Sequence, residues 1–235
     1  MPDRFFYPES LTDSEILLTG TEAHHLIHVM RAQPGSTIEL FDGRGHSAPG
    51  TVSEVRRKDA VIQLGEVQTS PEPQGFTLAT AVPKGDRFRW LIEKATELGI
   101  TRVQPLSTER SVVSPRETKL KKMEQSVIAA CKQSGRNWLM PIDEMVSLEE
   151  FLKNVPKATR LIVADPEAKY LPQATELGAS SCVAIVGPEG GLTSQELEQI
   201  RAAGADLISL GDLILRTETA TIALAGWWRL SQSSQ

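Results

Sequence analysis

The spacing of apolar residues changes near residue 72, and this change divides the chain into two regions of different secondary structure. In the first region, short segments of alternating apolar and polar residues predict three strands, over residues 37–41, 50–55 and 60–64. One short helix is predicted before them, over residues 22–30. Residues 69–75 contain two prolines and one glycine, which is typical of a linker. The first region is therefore predicted to be mainly β-structure.

After residue 75, apolar runs that suit buried strands alternate with segments of helical periodicity. The predicted strands cover residues 76–82, 100–106, 161–164, 183–186 and 207–210. The predicted helices cover residues 88–98, 120–134 and 219–230, and a further helix begins at Thr193, where Glu196 completes a capping-box pattern. Strands that alternate with helices predict an α/β layer with a largely parallel sheet.

The composition is that of a globular protein without a membrane segment. The chain has 235 residues, of which 40% are hydrophobic, and no apolar run reaches the ~18 residues of a membrane span. Its two cysteines provide neither a disulfide framework nor a zinc-binding spacing. Residues 1–4 lack the basic and apolar regions of a signal peptide, so we expect a cytoplasmic enzyme or RNA-handling protein.

Positive charge is concentrated in the middle third of the chain. Residues 73–140 contain 12 Lys/Arg and 6 Asp/Glu, whereas residues 1–72 contain 6 and 11, and residues 141–235 contain 7 and 13. A basic stripe on an acidic protein can be the electrostatic footprint of nucleic acid, or it can be a solvated helix face with extra lysines. Charge alone leaves both interpretations open.

A glycine-rich turn at residues 187–191 joins a predicted buried strand to a capped helix. Ligands of open α/β sheets bind at such strand-to-helix edges, and glycine lets a ligand approach the backbone closely. The turn lacks the Gly-Lys-Ser/Thr of a phosphate-binding loop, and Glu189 would repel phosphate, so a neutral or cationic ligand fits better. A tight connection without a ligand is the alternative interpretation.

A second polar turn follows the predicted strand 207–210 and precedes an alanine-rich helix. It contains Gly211 and the cluster Arg216-Thr217-Glu218-Thr219. At least one of the two threonines is expected to cap the helix, and Arg216 with Glu218 could form a surface ion pair. Because both glycine turns lie at strand ends, about twenty residues apart, we expect them to share one pocket.

These turns, together with motifs along nearly the whole chain, resemble the ribosomal RNA small subunit methyltransferase E family, which belongs to the SPOUT class of S-adenosylmethionine-dependent methyltransferases. The matching motifs are Arg4-Phe5-Phe6, Glu22-Ala23-His24-His25-Leu26, Leu40-Phe41-Asp42-Gly43, Lys84-Gly85-Asp86-Arg87, Lys94-Ala95-Thr96-Glu97-Leu98-Gly99, Glu109-Arg110-Ser111, Gln133-Ser134-Gly135-Arg136, Gly187-Pro188-Glu189-Gly190-Gly191, and Leu210-Gly211 with residues 214–220. Two positions depart from the family pattern and bear on the details of RNA contact. Leu213 stands where an arginine is usual, and Lys132 stands where an acidic residue is usual.

The resemblance implies a two-domain α/β protein. Residues 1–72 are expected to form a PUA-like RNA-binding β-barrel, and residues 73–235 a SPOUT methyltransferase domain with a parallel sheet and a deep trefoil knot. The family pattern also implies a homodimer with each cofactor pocket near the dimer interface. The implied reaction transfers a methyl group from S-adenosylmethionine to N3 of one uridine in 16S ribosomal RNA of the small ribosomal subunit, without a metal.

Under this interpretation, the two turns provide the cofactor wall and the catalytic groups. The residues expected to bind the cofactor are Gly187, Gly190, Gly191, Leu210, Gly211, Ile214 and Leu215. Uridine N3 is a poor nucleophile until its proton leaves, so a cation that stabilises the developing anion is needed. We expect Arg216 to supply that cation, and Glu218 to act as the base or to orient Arg216.

The basic segment and the N-terminal domain are expected to hold the RNA by its backbone. The arginines assigned to this contact are Arg4, Arg110, Arg116 and Arg136. Residues 111–115 are predicted to form an exposed loop between two of these arginines. Lysines of the 120–134 helix could instead be solubility charges, and the sequence does not separate the two roles.

Histidine and tryptophan pairs have less specific interpretations. His24 and His28 would lie on one helix face, but a metal site needs a third ligand, so packing or RNA contact is expected. Trp227 and Trp228 are expected in the core and a dimer interface rather than as a stacking platform for bases.

Two other functions compete with RNA methylation. The first is a non-catalytic RNA-binding ribosome-assembly factor on the same fold, and the presence of Arg216, Glu218 and an intact 187–191 turn argues against it. The second is a nucleotide hydrolase, and the absence of a phosphate-binding lysine in the glycine turn argues against it.

Overall fold

A computed structural model describes residues 3–73, 75–113, 120–170 and 181–232. The chain forms two compact units. The first unit consists of residues 1–72 and 128–139, and the second consists of residues 73–127 and 140–235. The predicted domain boundary after residue 72 stays a prediction, and the structure adds that residues 128–139 return to the first unit.

The first unit is built on a six-stranded, mainly antiparallel sheet, as the alternating pattern of the sequence predicted. Its strands are β1 (Arg4–Phe6), β2 (Glu15–Leu18), β3 (Thr37–Phe41), β4 (His46–Val55), β5 (Ala60–Leu64) and β6 (Gln68–Thr69). They lie in the order β1-β3-β4-β5-β2, with β6 paired to β4. A short helix α1 (Gly20–His24) continues as a π-helical turn (His25–Val29), where one helix over residues 22–30 was predicted. Periodicity missed β1, β2 and β6 because they are too short to show it.

The turn between β3 and β4 is fixed by Asp42. One carboxylate oxygen of Asp42 accepts hydrogen bonds from the backbone N–H groups of Arg44 and His46, at 2.7 and 3.1 Å. Burial alone would raise the pKa of Asp42, but the hydrogen bonds from Arg44 and His46 outweigh it and lower this pKa. The carboxylate therefore stays charged and holds the tight turn, in which Gly43 has a left-handed φ of 73°.

Arg4 lies inside the first unit, and this position contradicts its predicted contact with RNA. The residue is only 6% exposed. Its guanidinium donates to the backbone carbonyl of Cys131 at 2.8 Å and to the side-chain oxygen of Asn137. It also lies 3.3 Å from the Glu39 carboxylate and 4.7 Å from the centroid of the Phe41 ring. Because these partners occupy the guanidinium, Arg4 fastens residues 128–139 to β1 rather than reaching a ligand.

The second unit contains a six-stranded sheet in which every pairing is parallel, as the alternation of strands and helices predicted. Its strands are β7 (Phe76–Ala81), β8 (Arg102–Ser107), β9 (Val146–Ser147), β10 (Arg160–Ala164), β11 (Cys182–Val186) and β12 (Asp206–Ile208). The spatial order is β12-β10-β11-β7-β8-β9. The carboxyl ends of all six strands therefore meet at one edge of the sheet.

Five helices follow β7 in the described part of the chain: α2 (Arg87–Glu97), α3 (Leu120–Ser134), α4 (Leu148–Asn154), α5 (Ser194–Ala202) and α6 (Thr217–Gln232). Residues 128–134 of α3 belong to the first unit. The predicted capping box is confirmed, since the Thr193 hydroxyl accepts from the Glu196 backbone N–H and the Glu196 carboxylate accepts from that of Thr193. Helix α6 begins two residues earlier than predicted, at Thr217. Every helix in the described residues is either too short or too polar to span a bilayer.

Trp228 belongs to the core of the second unit. Its ring stacks on Phe76 with the centroids 4.8 Å apart, and the residue is buried. Trp227 is only partly buried. The two tryptophans therefore differ in burial. The sequence suggested a dimer interface for both, but of the two only Trp227 is accessible to a partner.

Neither cysteine is expected to react in the folded protein. Burial raises the pKa of the Cys131 thiol to about 11 and that of Cys182 to about 12. Thiolate is the reactive form, so Ellman's reagent at pH 8 should label almost no thiol in the native protein and both thiols in guanidinium. An unfolded thiol ionises near pH 8.5, so the unfolded chain loses these protons first and the free energy of unfolding should fall above that pH. Rapid native labelling would contradict this burial.

Candidate active site

Loops that follow three adjacent strands, β12, β10 and β11, enclose a cavity of about 440 Å³. The strands are parallel, so their connecting loops converge on the carboxyl edge of the sheet. The lining includes residues 164–167 after β10, residues 186–189 and 191–192 around the first glycine turn, and residues 210–211, 213–215 and 217 from the second. The two turns therefore share one cavity, as their positions in the sequence predicted.

The first turn is held in shape by its own backbone and by α6. Gly191 has a left-handed φ of 71°, and its N–H donates to the Pro188 carbonyl at 2.8 Å. The Thr217 hydroxyl donates to the Gly187 carbonyl at 3.1 Å. Thr217 thus joins the second turn to the first. The sequence predicts that Thr217 and Thr219 shape their own turn, and that at least one of them caps the helix, but it predicts no contact with the first turn.

Six of the seven predicted cofactor residues line the cavity: Gly187, Gly191, Leu210, Gly211, Ile214 and Leu215. Gly190 is not among the lining residues, and its carbonyl accepts a hydrogen bond from Arg110 at 2.9 Å. The six lining residues therefore meet at one cavity, and cofactor binding by all seven stays a prediction.

The two predicted catalytic residues differ in burial. Arg216 is exposed, and its backbone carbonyl accepts from the Ala220 N–H at 2.9 Å in the first turn of α6. Glu218 is 8% exposed, and its Oε2 is buried with no hydrogen-bond partner among the described residues. No hydrogen bond or ion pair of the Arg216 guanidinium occurs in the part of the chain that the structure describes. The alternative of an Arg216–Glu218 ion pair is therefore wrong.

Sequence reasoning missed the cation that faces Glu218, which is Arg87. Its Nη1 lies 2.9 Å from Glu189 Oε1 and 3.8 Å from Glu218 Oε1. Arg87 is the first residue of α2, which follows β7, the neighbour of β11 in the sheet. The sequence places Arg87 in a family motif within the basic middle segment, but it predicts no role for this residue in the site.

The cavity lining carries more negative than positive charge. Asp165, Glu167 and Glu189 line it, and Arg110 is the one lysine or arginine among the lining residues that the structure describes. Asp165 is buried, and its Oδ1 accepts from the Glu167 N–H at 2.8 Å. An acidic lining suits a neutral or cationic ligand and disfavours a nucleotide polyphosphate.

The remaining predicted RNA contacts lie in three different settings. Arg110 is exposed beside the cavity. Arg136 is partly buried, and its Nε donates to the Trp138 carbonyl at 2.6 Å. Arg116 lies outside the described residues. Contact of these three arginines with RNA stays a prediction.

The two departures from the family pattern have different structural settings. Lys132 forms an ion pair with Glu22 at 2.8 Å and lies 4.9 Å from the centroid of the Phe5 ring, so its charge is used inside the first unit. Leu213 is 79% exposed among the residues that line the cavity. The lysine at position 132 is therefore explained by its contacts with Glu22 and Phe5, whereas Leu213 is a solvent-exposed apolar side chain at the site.

Two family models match this chain, one over most of the second unit and one within the first. Residues 70–229 match the model of the RNA methyltransferase domain, and residues 18–65 match that of the RNA methyltransferase PUA domain. Ribosomal RNA small subunit methyltransferase E of Synechocystis is 33% identical over 93% of this chain and 74% of its own length. That of Bacillus subtilis is 33% identical over 87% of this chain and 86% of its own.

A solved structure gives the same result. The crystal structure of ribosomal RNA small subunit methyltransferase E from Neisseria gonorrhoeae, bound to S-adenosylmethionine, superposes with a TM-score of 0.88. It is 32% identical and covers 96% of this chain and 95% of its own. The parallel sheet, the shared glycine-turn cavity and these similarities together show that the chain belongs to the ribosomal RNA small subunit methyltransferase E family.

Proposed function

We propose that this protein transfers a methyl group from S-adenosylmethionine to N3 of a specific uridine in 16S ribosomal RNA. The observation that carries the proposal is the cavity shared by the two glycine turns, next to the buried carboxylate of Glu218, whose Oε2 has no partner among the described residues. Family membership supports RNA methylation, and the mainly acidic lining supports a cationic cofactor rather than a nucleotide. The choice of N3 and of uridine rests on the family resemblance.

The cavity fits S-adenosylmethionine in size and in chemistry. About 440 Å³ lies within the range of small-molecule sites. Gly187, Gly191, Leu210, Gly211 and Leu215 would hold the adenosine through backbone groups and apolar contacts, and the acidic side chains suit the cofactor's positive charges. When bound, the cofactor supplies a methyl group activated by a sulfonium.

The protein's own groups would prepare the nucleophile. Glu218 would accept the N3 proton, and the burial of its Oε2 without a partner among the described residues supports this role. Arg216 is exposed at the start of α6 and free to approach a uridine oxygen, where it would stabilise the anion left by deprotonation. Positioning of N3 by the surrounding loops should supply much of the remaining rate.

Assembly and RNA binding complete the proposal. The enzyme is a cytoplasmic homodimer with a knotted SPOUT domain, and it acts on RNA of the small ribosomal subunit. Residues 1–72 and the arginines Arg110, Arg116 and Arg136 hold the RNA backbone. Half-buried Trp227 and exposed Leu230 on α6 provide apolar surface that suits an interface.

Mass spectrometry of ribosomal RNA from cells that lack this protein tests the function. Loss of one N3-methyluridine from 16S RNA, restored by the wild-type gene, is the expected result. Calorimetry with S-adenosylmethionine and with ATP separates the competing functions. Binding of ATP alone would reject the methyltransferase, and binding of RNA without either small molecule would favour an assembly factor.

Replacing Gly191 with valine is expected to weaken S-adenosylmethionine binding by about tenfold. Gly191 has a φ of 71°, which a β-branched residue tolerates poorly, so the turn must change shape at the cavity wall. Calorimetry measures the change. Gly204→Val is the matched control, because Gly204 has a φ of 86° in open space and does not line the cavity. Equal affinity in Gly191→Val and wild type would place the cofactor elsewhere.

A further inference from the structure

One guanidinium connects the first glycine turn to the start of α6. Arg87 Nη1 lies 2.9 Å from Glu189 in the turn and 3.8 Å from Glu218 in the first turn of α6. The Arg87 Nε donates to the Lys84 carbonyl at 3.3 Å, which holds the guanidinium close to the end of β7. Three segments that follow different parts of the sheet therefore meet at a single side chain.

This arrangement balances charges that would otherwise repel. The carboxylates of Glu189 and Glu218 both lie within 4 Å of Arg87 Nη1, so the two negative charges are close to each other. Neighbouring carboxylates repel each other unless a cation lies between them. Glu218 turns Oε1 toward Arg87, while its Oε2 has no partner among the described residues. The contact thus orients the carboxylate and leaves one oxygen available.

A neighbouring ion pair shows what an ordinary surface contact looks like on the same helix. Arg89 pairs with Glu93 at 2.9 Å, and the Arg89 side chain is 63% exposed. Arg87 is 37% exposed, and the Glu218 side chain that it faces is only 10% exposed. Surface pairs contribute little, whereas a buried carboxylate depends strongly on its partner. Arg89 is therefore a matched control for Arg87.

We propose that Arg87 is a positioning residue of the active site, which fixes the 187–191 turn through Glu189 and orients Glu218 for the reaction. The inference rests on the proposed methyltransferase function. Loss of the Glu189 contact should loosen the cofactor wall, and loss of the Glu218 contact should misdirect the carboxylate. Arg87 thereby acts on cofactor binding and on turnover through two separate contacts.

Three substitutions at one position separate charge from packing. Arg87→Met keeps the aliphatic stem and removes the charge, and we expect about a tenfold weaker affinity for S-adenosylhomocysteine and about a tenfold lower single-turnover rate at saturating cofactor. Arg87→Lys keeps a point charge and should recover part of both losses. Arg87→Ala should match Arg87→Met. Arg89→Met should change each quantity less than twofold.

Coupling to Glu189 supplies a readout that needs neither RNA nor cofactor. The shifts in Tm caused by Arg87→Met and Glu189→Gln in the free protein should be non-additive, because both remove the same contact. The losses of cofactor affinity caused by the two substitutions should likewise be non-additive in the double variant. Additive shifts, or wild-type affinity and rate in Arg87→Met, would overturn the inference while leaving the function intact. A wild-type protein that neither binds S-adenosylhomocysteine nor methylates RNA would reject the function itself, and the inference with it.

Discussion

Replacing Arg216 with alanine is expected to lower the rate of RNA methylation by about a hundredfold, the loss typical of removing one charge-stabilising donor. The Arg216 guanidinium makes no hydrogen bond or ion pair within the described residues, so packing gives no reason for a guanidinium at this position. If Arg216 stabilises charge on the uridine, its contact is stronger in the transition state than in the ground state. Single-turnover methylation of small-subunit particles at saturating cofactor measures this loss.

The controls for Arg216 separate catalysis from binding and stability. Cofactor affinity and Tm should change little in Arg216→Ala, because the side chain is exposed and does not line the cavity. Arg216→Lys should recover only part of the rate, because lysine lacks the planar fork. Arg201→Ala, an exposed arginine on α5, should behave as wild type. A rate above one tenth of wild type in Arg216→Ala would exclude Arg216 as a catalytic residue.

Replacing Arg4 with alanine is expected to destabilise the first unit by about 3 kcal/mol, the scale of loss when one partner of a buried charged network is removed. The substitution leaves the Cys131 carbonyl, the Asn137 side chain and Glu39 without the guanidinium that they share. It also removes the contact that holds residues 128–139 to β1. Hydrogen exchange of the amides of β3, followed by mass spectrometry, reports the stability of this unit separately.

An exposed arginine in the same unit provides the comparison for Arg4. Arg56 pairs with Glu54 at 2.8 Å at the surface, and Arg56→Ala should leave the exchange rates of β3 unchanged. RNA affinity offers a second measurement, because the interior position of Arg4 predicts that loss of affinity follows loss of folding. Weakened RNA binding with unchanged exchange in Arg4→Ala would restore Arg4 as an RNA contact.

Local patterns were sufficient for most of the second unit. The apolar runs at 161–164 and 183–186 became β10 and β11 with only one added residue at the start of each. The capping box at Thr193 formed as predicted, because its partners are three residues apart and need no tertiary contact. The shared pocket could also be predicted, since parallel strands place their following loops at one edge.

The sequence by itself therefore determined the mainly β first unit, the parallel α/β layer, the family and the two turns that enclose the cavity. Only the tertiary structure decided which charged side chains form contacts inside a unit and which ones lie at the site. Arg4 donates to a carbonyl 127 positions away, and Arg87 reaches Glu189 and Glu218 from the end of a different strand. Such pairs depend on how distant segments pack. The sequence does not distinguish an arginine that will be buried from one that will be exposed. For that reason an arginine expected at the RNA belongs to the interior, and Arg87, for which the sequence predicted no role in the site, lies against the Glu218 carboxylate.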